Sequence, residues 1–289
     1  MSIRHEVPEG IESKSVSVNG LDLHYLEAGS GEPILLLHGW PTSAYLWRHT
    51  MPAMAKHNRV IALDMPGFGA SSKPLDASYS FGFHARTLDA FCEAIGVNEL
   101  GLAVHDLGGP VGLYWGLQQP ERIRKLALLN TIVYPQMSWA VMLFVAICRL
   151  PGARHWLTSP AGLRFAMRFG VCDKAGLSEQ TIAQYQAPFV GRDARAALAK
   201  TAYGLHPGGF VELARRLPEF RCPVRIVYGS EDRILPDVAK TMARVQRDLP
   251  QAVATALPGC GHFLQEDSPV EFAGAINTLL ARLDESDQT

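Results

Sequence analysis

No stretch of this chain is apolar for long enough to cross a bilayer: the most hydrophobic run is Trp139–Cys148. The opening segment, MSIRHEVPEG, lacks the apolar core of a secretion signal. Charge of one sign is missing too, with 27 Lys and Arg against 28 Asp and Glu. Nothing in that balance argues for nucleic acid or an anionic membrane as a partner. Cysteine is sparse: Cys92, Cys148, Cys172, Cys222 and Cys260 fall without CxxC or His/Cys ligand spacing. An odd, dispersed set reads as free thiols in a reducing compartment, not a disulfide framework. No His/Asp/Glu cluster has metal-ligand spacing, so no metal and no cofactor is expected. Repeats and low-complexity linkers are absent. The expectation is a cytoplasmic protein with a frayed ESDQT tail and one large α/β unit carrying an inserted subdomain.

What is present centres on Leu100–Gln119, LGLAVHDLGGPVGLYWGLQQ. Leu100–Val104 is a short apolar run of the kind a buried strand needs. Pro110 suits a first helical position, and Val111, Leu113, Tyr114 and Leu117 follow at roughly helical spacing. Between them His105, Asp106, Leu107, Gly108 and Gly109 must turn the chain sharply. Strand, tight turn and helix make a nucleophile elbow. Its apex is Asp106, where most such elbows carry Ser. A carboxylate is a poor nucleophile for esters, because the mixed anhydride formed is less stable than the ester consumed. It suits saturated carbon bearing a leaving group, giving an alkyl ester that water then hydrolyses. The plainer role for Asp106 is a helix N-cap.

The flanking pattern alternates strands and helices. Ser15–Val18 and Leu21–Glu27 flank Asn19-Gly20, a hairpin signal. Pro33–Leu37, Arg59–Leu63 and Arg124–Leu129 read as buried strands, Trp47–Met54 and Phe83–Ile95 as helices, with Ser78 and Ser80 as plausible caps. The glycine-rich Asp64–Ser72 lacks the GK[ST] of a phosphate loop and reads as a structural turn. A mostly parallel sheet with helices on both faces follows. From Thr131 the pattern turns helical, including an apolar helix Ser138–Leu150, and the sheet resumes at Pro223–Tyr228. Pro236–Arg247, Ala252–Leu257 and Pro269–Leu283 complete it as helix, strand and helix. The expected organisation is a core, first part, over 1–130, a helical cap over 131–216, and the rest of the core over 217–289. Such a cap would exclude water from an apolar pocket.

Asp106, Asp232 and His262 occur in the chain order nucleophile, acid, histidine, each in a loop after a strand. In that reading Asp106 attacks carbon, His262 activates water against the ester, and Asp232 orients the imidazole. The backbone N–H groups of Trp40 and Leu107 would form an oxyanion hole. Asp237 and Glu231 are fallback acids.

HGWPTSAYLWR, DMPGFGASSKP, VHDLGG, GSEDRILP and GCGHF together resemble the Asp-nucleophile α/β-hydrolases, the group of haloalkane dehalogenases and epoxide hydrolases. The resemblance covers about 30–283 and implies the α/β-hydrolase fold and a small apolar organic substrate with water as co-substrate. Haloalkane dehalogenases usually carry Trp after the nucleophile, and many carry Asn after the HG, as halide donors. Here Leu107 and Trp40 stand at those places, leaving Trp40, Trp139 or Trp156 as substitutes. Epoxide hydrolases need cap tyrosines to protonate the opening oxygen, for which Tyr134, Tyr185 and Tyr203 are candidates. Because Leu107 removes a halide donor, the sequence favours epoxide hydrolysis over the haloalkane alternative. A lactone- or ester-directed hydrolase and a non-catalytic receptor are the further alternatives. Oligomeric state is open.

Overall fold

The computed structural model describes residues 7–281, and side chains to 276. The start of the N-terminal segment, Leu283 and the ESDQT tail lie outside the described residues. Eight strands run β1 Glu12–Val18, β2 Leu21–Ala28, β3 Glu32–Leu37, β4 Asn58–Leu63, β5 Leu100–Asp106, β6 Ile123–Thr131, β7 Val224–Gly229 and β8 Ala252–Leu257. They form one sheet in the order β1-β2-β4-β3-β5-β6-β7-β8. The first two strands pair antiparallel, as does β2 with β4, and every later pairing is parallel. Asn19 and Gly20 both adopt positive φ, 51° and 76°, which is what a two-residue hairpin turn requires. All seven residues of β5 are buried, because helices cover both faces of the parallel sheet.

The helices are α1 Met51–Met54, α2 Phe81–Ala94, α3 Gly108–Gly116, α4 Trp139–Arg149, α5 Pro151–Leu157, α6 Pro160–Gly170, α7 Glu179–Gln186, α8 Arg192–Thr201, α9 Pro207–Arg216, α10 Val238–Asp248, α11 Leu264–Asp267 and α12 Pro269–Ala281. Ser80 caps α2 through the Phe83 N–H, so of the two expected serines Ser80 holds that role. The expected helix Trp47–Met54 is instead a 3₁₀ turn, Ala44–Trp47, followed by the single turn α1. Pro52 lacks the N–H that would continue the preceding turn. The glycine-rich turn is organised by Asp64, whose carboxylate accepts from the Ala44 and Ala70 N–H groups at 2.6 and 2.8 Å. No strand interrupts the chain between β6 and β7, and α4 to α9 lie there. One face of α4 is exposed, with Trp139, Met142 and Leu143, while Val141 and Cys148 point inward.

A buried ion pair ties the 3₁₀ turn to α11, and the helical stretch joins it through α7. Arg48 donates both terminal nitrogens to the Glu266 carboxylate at 2.6 and 2.8 Å. Tyr185 of α7 donates its hydroxyl to the same carboxylate.

Candidate active site

β5 delivers Asp106 at φ +50°, a left-handed conformation rare outside glycine. Three glycines make room for it. A Cβ on Gly39 would lie 2.2 Å from Asp106 Oδ1, and one on Gly108 would meet the Leu37 and His38 carbonyls at 2.6 Å. On Gly109 it would lie 1.6 Å from Thr131 Oγ1, which itself donates to the Asp106 carbonyl at 2.6 Å. A strained residue held from several directions at a strand end belongs to functional sites far more than to caps. Leu107 holds the N-cap position of α3, so Asp106 does not cap that helix.

The Asp106 carboxylate is nearly buried. Its Oδ1 accepts from the Trp40 backbone N–H at 2.7 Å. Its Oδ2 lies 3.3 Å from His262 Nε2, which makes no aligned hydrogen bond there. On the other side of the ring, His262 Nδ1 donates to Asp232 Oδ2 at 2.8 Å. Asp232 Oδ1 in turn accepts from the Ile234 and Leu235 N–H groups, each at 2.8 Å. The structure therefore brings together Asp106 at the carboxyl end of β5, Asp232 in the loop after β7 and His262 in the loop after β8.

One further residue of the site was not singled out in the sequence. Asn130, at φ +33°, donates Nδ2 to Asp232 Oδ2 at 2.6 Å and to the Gly261 carbonyl at 3.2 Å. Its Oδ1 accepts from the Gly229 N–H at 2.9 Å. One side chain thus ties the ends of β6, β7 and the histidine loop. A lone Asn closing the apolar run LALLN was the available signal.

Burial works against charge at every member of the group, and their mutual attraction overrides it. Burial would lower the His262 imidazole, but Asp232 and Asp106 together hold it well above its ordinary value. Burial would raise Asp106, yet His262 and the Trp40 N–H leave it below the usual carboxylate range. Asp232 is likewise depressed, by His262, the Leu235 N–H and Asn130 against burial. The two carboxylates thus favour the protonated ring, and the ring favours the charged form of both carboxylates. Two more histidines are structural. His105 donates Nε2–H to the His262 carbonyl at 2.8 Å, and burial pushes its pKa down to about 4. His38 bridges the Gly39 carbonyl and the Met65 N–H.

Several other expected residues stand elsewhere. Tyr134 gives its hydroxyl to Asp248 at 2.6 Å under the Arg244 guanidinium, away from Asp106. Tyr185 is committed to Glu266. Tyr203 lies beneath Arg149, and no hydrogen bond joins it to the Asp106 group. Trp139 and Trp156 are 73% and 52% exposed, because their helices turn those faces outward. Trp40 sends its indole N–H to the Leu198 carbonyl of α8 at 3.3 Å, and only its backbone reaches Asp106. Glu231 is exposed and beside Cys172, and Asp237 precedes α10, so neither replaces Asp232. Among the described residues no cluster of His, Cys, Asp and Glu is placed to hold a metal.

An eight-stranded, mostly parallel sheet with Asp106, Asp232 and His262 at its carboxyl edge defines an α/β-fold hydrolase. The family described as alpha/beta hydrolase fold matches residues 32–269, and this chain belongs to it. A haloalkane dehalogenase of Agrobacterium fabrum is 30% identical over 95% of this chain and 93% of its own. Among solved structures, a loop variant of the haloalkane dehalogenase DbeA from Bradyrhizobium elkanii superposes with a TM-score of 0.86. It is 25% identical and covers 97% of this chain and all of its own. A bacterial membrane phospholipase A reaches 0.76 at 25% identity, over 96% of this chain and 87% of its own. Among the described residues no single helix is long and apolar enough to cross a membrane.

Proposed function

We propose that this hydrolase is a haloalkane dehalogenase that displaces halide from saturated carbon through an ester on Asp106. The carrying observation is a carboxylate at the elbow apex, with His262 Nε2 beside it at 3.3 Å. Asp106 Oδ2 attacks the halogen-bearing carbon, the carbon–halogen bond breaks, and halide departs with the bonding pair. Water then attacks the ester carbonyl, giving its proton to His262, while the Trp40 and Leu107 N–H groups stabilise the oxyanion. Collapse releases the alcohol and restores the Asp106 carboxylate.

Ester formation also sets the timing of the base. The alkylated Asp106 is neutral, so one of the two charges holding the imidazole proton vanishes. With that charge gone the ring holds its proton less tightly, can release it to solvent, and is free to act as the base when water must be activated.

This reading replaces the epoxide hydrolase favoured by the sequence. An epoxide oxygen needs an acid as its bond breaks, and the Tyr134 and Tyr185 phenols already donate to Asp248 and Glu266. Halide needs no proton. With Leu107 after the nucleophile and the Trp40 indole engaged with Leu198, the leaving halide lacks the usual side-chain donors. Each charge-assisted hydrogen bond lost is worth about 1.5–3 kcal/mol. Iodide and bromide, which leave with least help, are therefore the preferred leaving groups over chloride. In the same reading residues 131–216 cap the site over an apolar substrate, and the five free cysteines suit the cytoplasm.

The test is the intact mass of His262→Ala after incubation with 1-iodobutane, 1-bromobutane and butylene oxide. A gain equal to a butyl group less one hydrogen supports the haloalkane reading. A gain equal to the whole epoxide returns the assignment to epoxide hydrolysis.

A further inference from the structure

The segment after α6 and the loop that carries His262 are fastened together through one carboxylate. Asp267 ends α11, five residues beyond the histidine. Its Oδ2 accepts from the Gly261 N–H at 2.7 Å. Its Oδ1 accepts from the Cys172 and Asp173 N–H groups at 2.8 and 2.9 Å. Next to this clamp the His262 N–H donates to the Gly170 carbonyl at 2.7 Å. The two segments pass so closely that a Cβ on Gly261 would lie 2.3 Å from the Gly170 carbonyl oxygen. The Gly261 and His262 amides are thus held by Asp267 and by Gly170, and the same Asp267 holds residues 172–173 of the helical stretch between β6 and β7.

We infer that Asp267 is a positioning residue for His262, through which the helical stretch fixes the base against Asp106 in the hydrolytic step. The inference rests on the reading that His262 activates water against an Asp106 ester. Three N–H groups from two segments converge on two oxygens that only a carboxylate provides together. A carboxamide offers one oxygen and one NH₂, so Asn cannot serve both the Gly261 side and the 172–173 side. Gly261 would lose its partner and meet a donor instead. No second acceptor holds the Gly261 N–H, and the 3.2 Å bond from Asn130 to the Gly261 carbonyl is then left to hold that glycine, which has no side chain of its own to limit drift. General base catalysis on water is sensitive to such drift, because the ring must face a water and the ester carbonyl together. Alkylation uses Asp106 alone, which is held by Trp40, Thr131 and its own strand. The loss therefore falls on one chemical step.

The experiment compares the two steps in wild type, Asp267→Asn and Asp267→Glu, mixing enzyme with 1-bromobutane in rapid-quench single turnovers. Bromide release reports alkylation, and butanol reports hydrolysis. The expected result for Asp267→Asn is bromide release within about twofold of wild type with butanol formation slowed at least tenfold. The butyl adduct then builds up on Asp106 in the intact mass. Asp267→Glu, which keeps a charged two-oxygen acceptor, should recover part of the hydrolytic rate. A merely structural role would slow both steps together, and that result, or wild-type rates in both, overturns the inference. If Asp267→Asn does not fold by thermal melt, the same split is read in Asp267→Glu, where hydrolysis must be slowed more than bromide release. His262→Ala runs alongside. If it traps no adduct, the haloalkane reading itself fails. If it traps one while both Asp267 variants match wild type, only the role of Asp267 is lost.

Discussion

Replacing Asp106 by Asn imitates the charge of the alkylated enzyme and should release the proton from His262. The Trp40 N–H keeps the amide oxygen on its own side, so the NH₂ faces His262 Nε2 and favours the neutral ring. At the 3.3 Å separation of the wild-type pair, unit charges in an effective dielectric near 20 attract by about 5 kcal/mol. Side-chain relaxation takes back part of this, and Asp232 remains at 2.8 Å on Nδ1. At about 1.4 kcal/mol per pH unit, the His262 titration midpoint should fall by roughly two to four pH units. The assay is an NMR titration of the ring carbons with histidine selectively labelled, comparing wild type and Asp106→Asn. His105 and His84, buried and shifted to about 4, titrate apart from it. A midpoint within half a unit of wild type would mean that the Asp106 charge is not what holds the proton. The timing of base release derived above would fall with it.

The buried histidines carry a stability prediction. His84 titrates near 6.5 when unfolded and near 4 when folded, so the unfolded chain binds more protons between those values. Stability then falls as pH drops through that window, by about 2 kcal/mol between pH 6.5 and 5 for this one group. Urea melts at the two pH values should show a smaller acid loss in His84→Phe, and an equal loss would contradict the assignment. Glu266→Gln leaves the buried Arg48 guanidinium without its anion and should cost about 3–5 kcal/mol, while Arg48→Met with Glu266→Gln recovers much of it. In a chain of 289 residues that loss is a fall of about 6–10 °C in Tm, read by calorimetry. Leu107→Trp places an indole N–H next to Asp106 and should raise kcat/KM for 1-chlorobutane by about 10–100-fold with much less effect on 1-iodobutane. An equal change for both halides would mean that the indole does not meet the leaving group.

The sheet and the elbow were legible because their signals are local. A buried parallel strand is an unbroken apolar run, as at Leu100–Val104, and the turn after it needs the small residues of Gly108–Gly109. Asp232 and His262 could be found because each follows its own strand within a few residues. The illegible part was direction. Tyr185 and Trp40 are the right residue types in the right regions. Whether a phenol or an indole faces the pocket is settled by partners far along the chain, Glu266 for one and Leu198 for the other. Periodicity carries no information about such pairings. Asn130 was hidden for the same reason, since its three partners lie about a hundred residues away. Asp267, at the end of α11, carries no local signal at all, and only the approach of residues 172–173 gives it a task.

In the proposed reaction the oxygen delivered to the product comes first from Asp106 and not from water. One turnover of 1-bromobutane by excess enzyme in H₂¹⁸O tests it, with the butanol and the peptide bearing Asp106 both read by mass spectrometry. An attack by the Asp106 carboxylate, followed by water at the ester carbonyl, predicts unlabelled butanol and one ¹⁸O in the Asp106 carboxylate. Butanol labelled in that first turnover, with Asp106 unlabelled, would mean that water attacks carbon directly and that Asp106 is not the nucleophile.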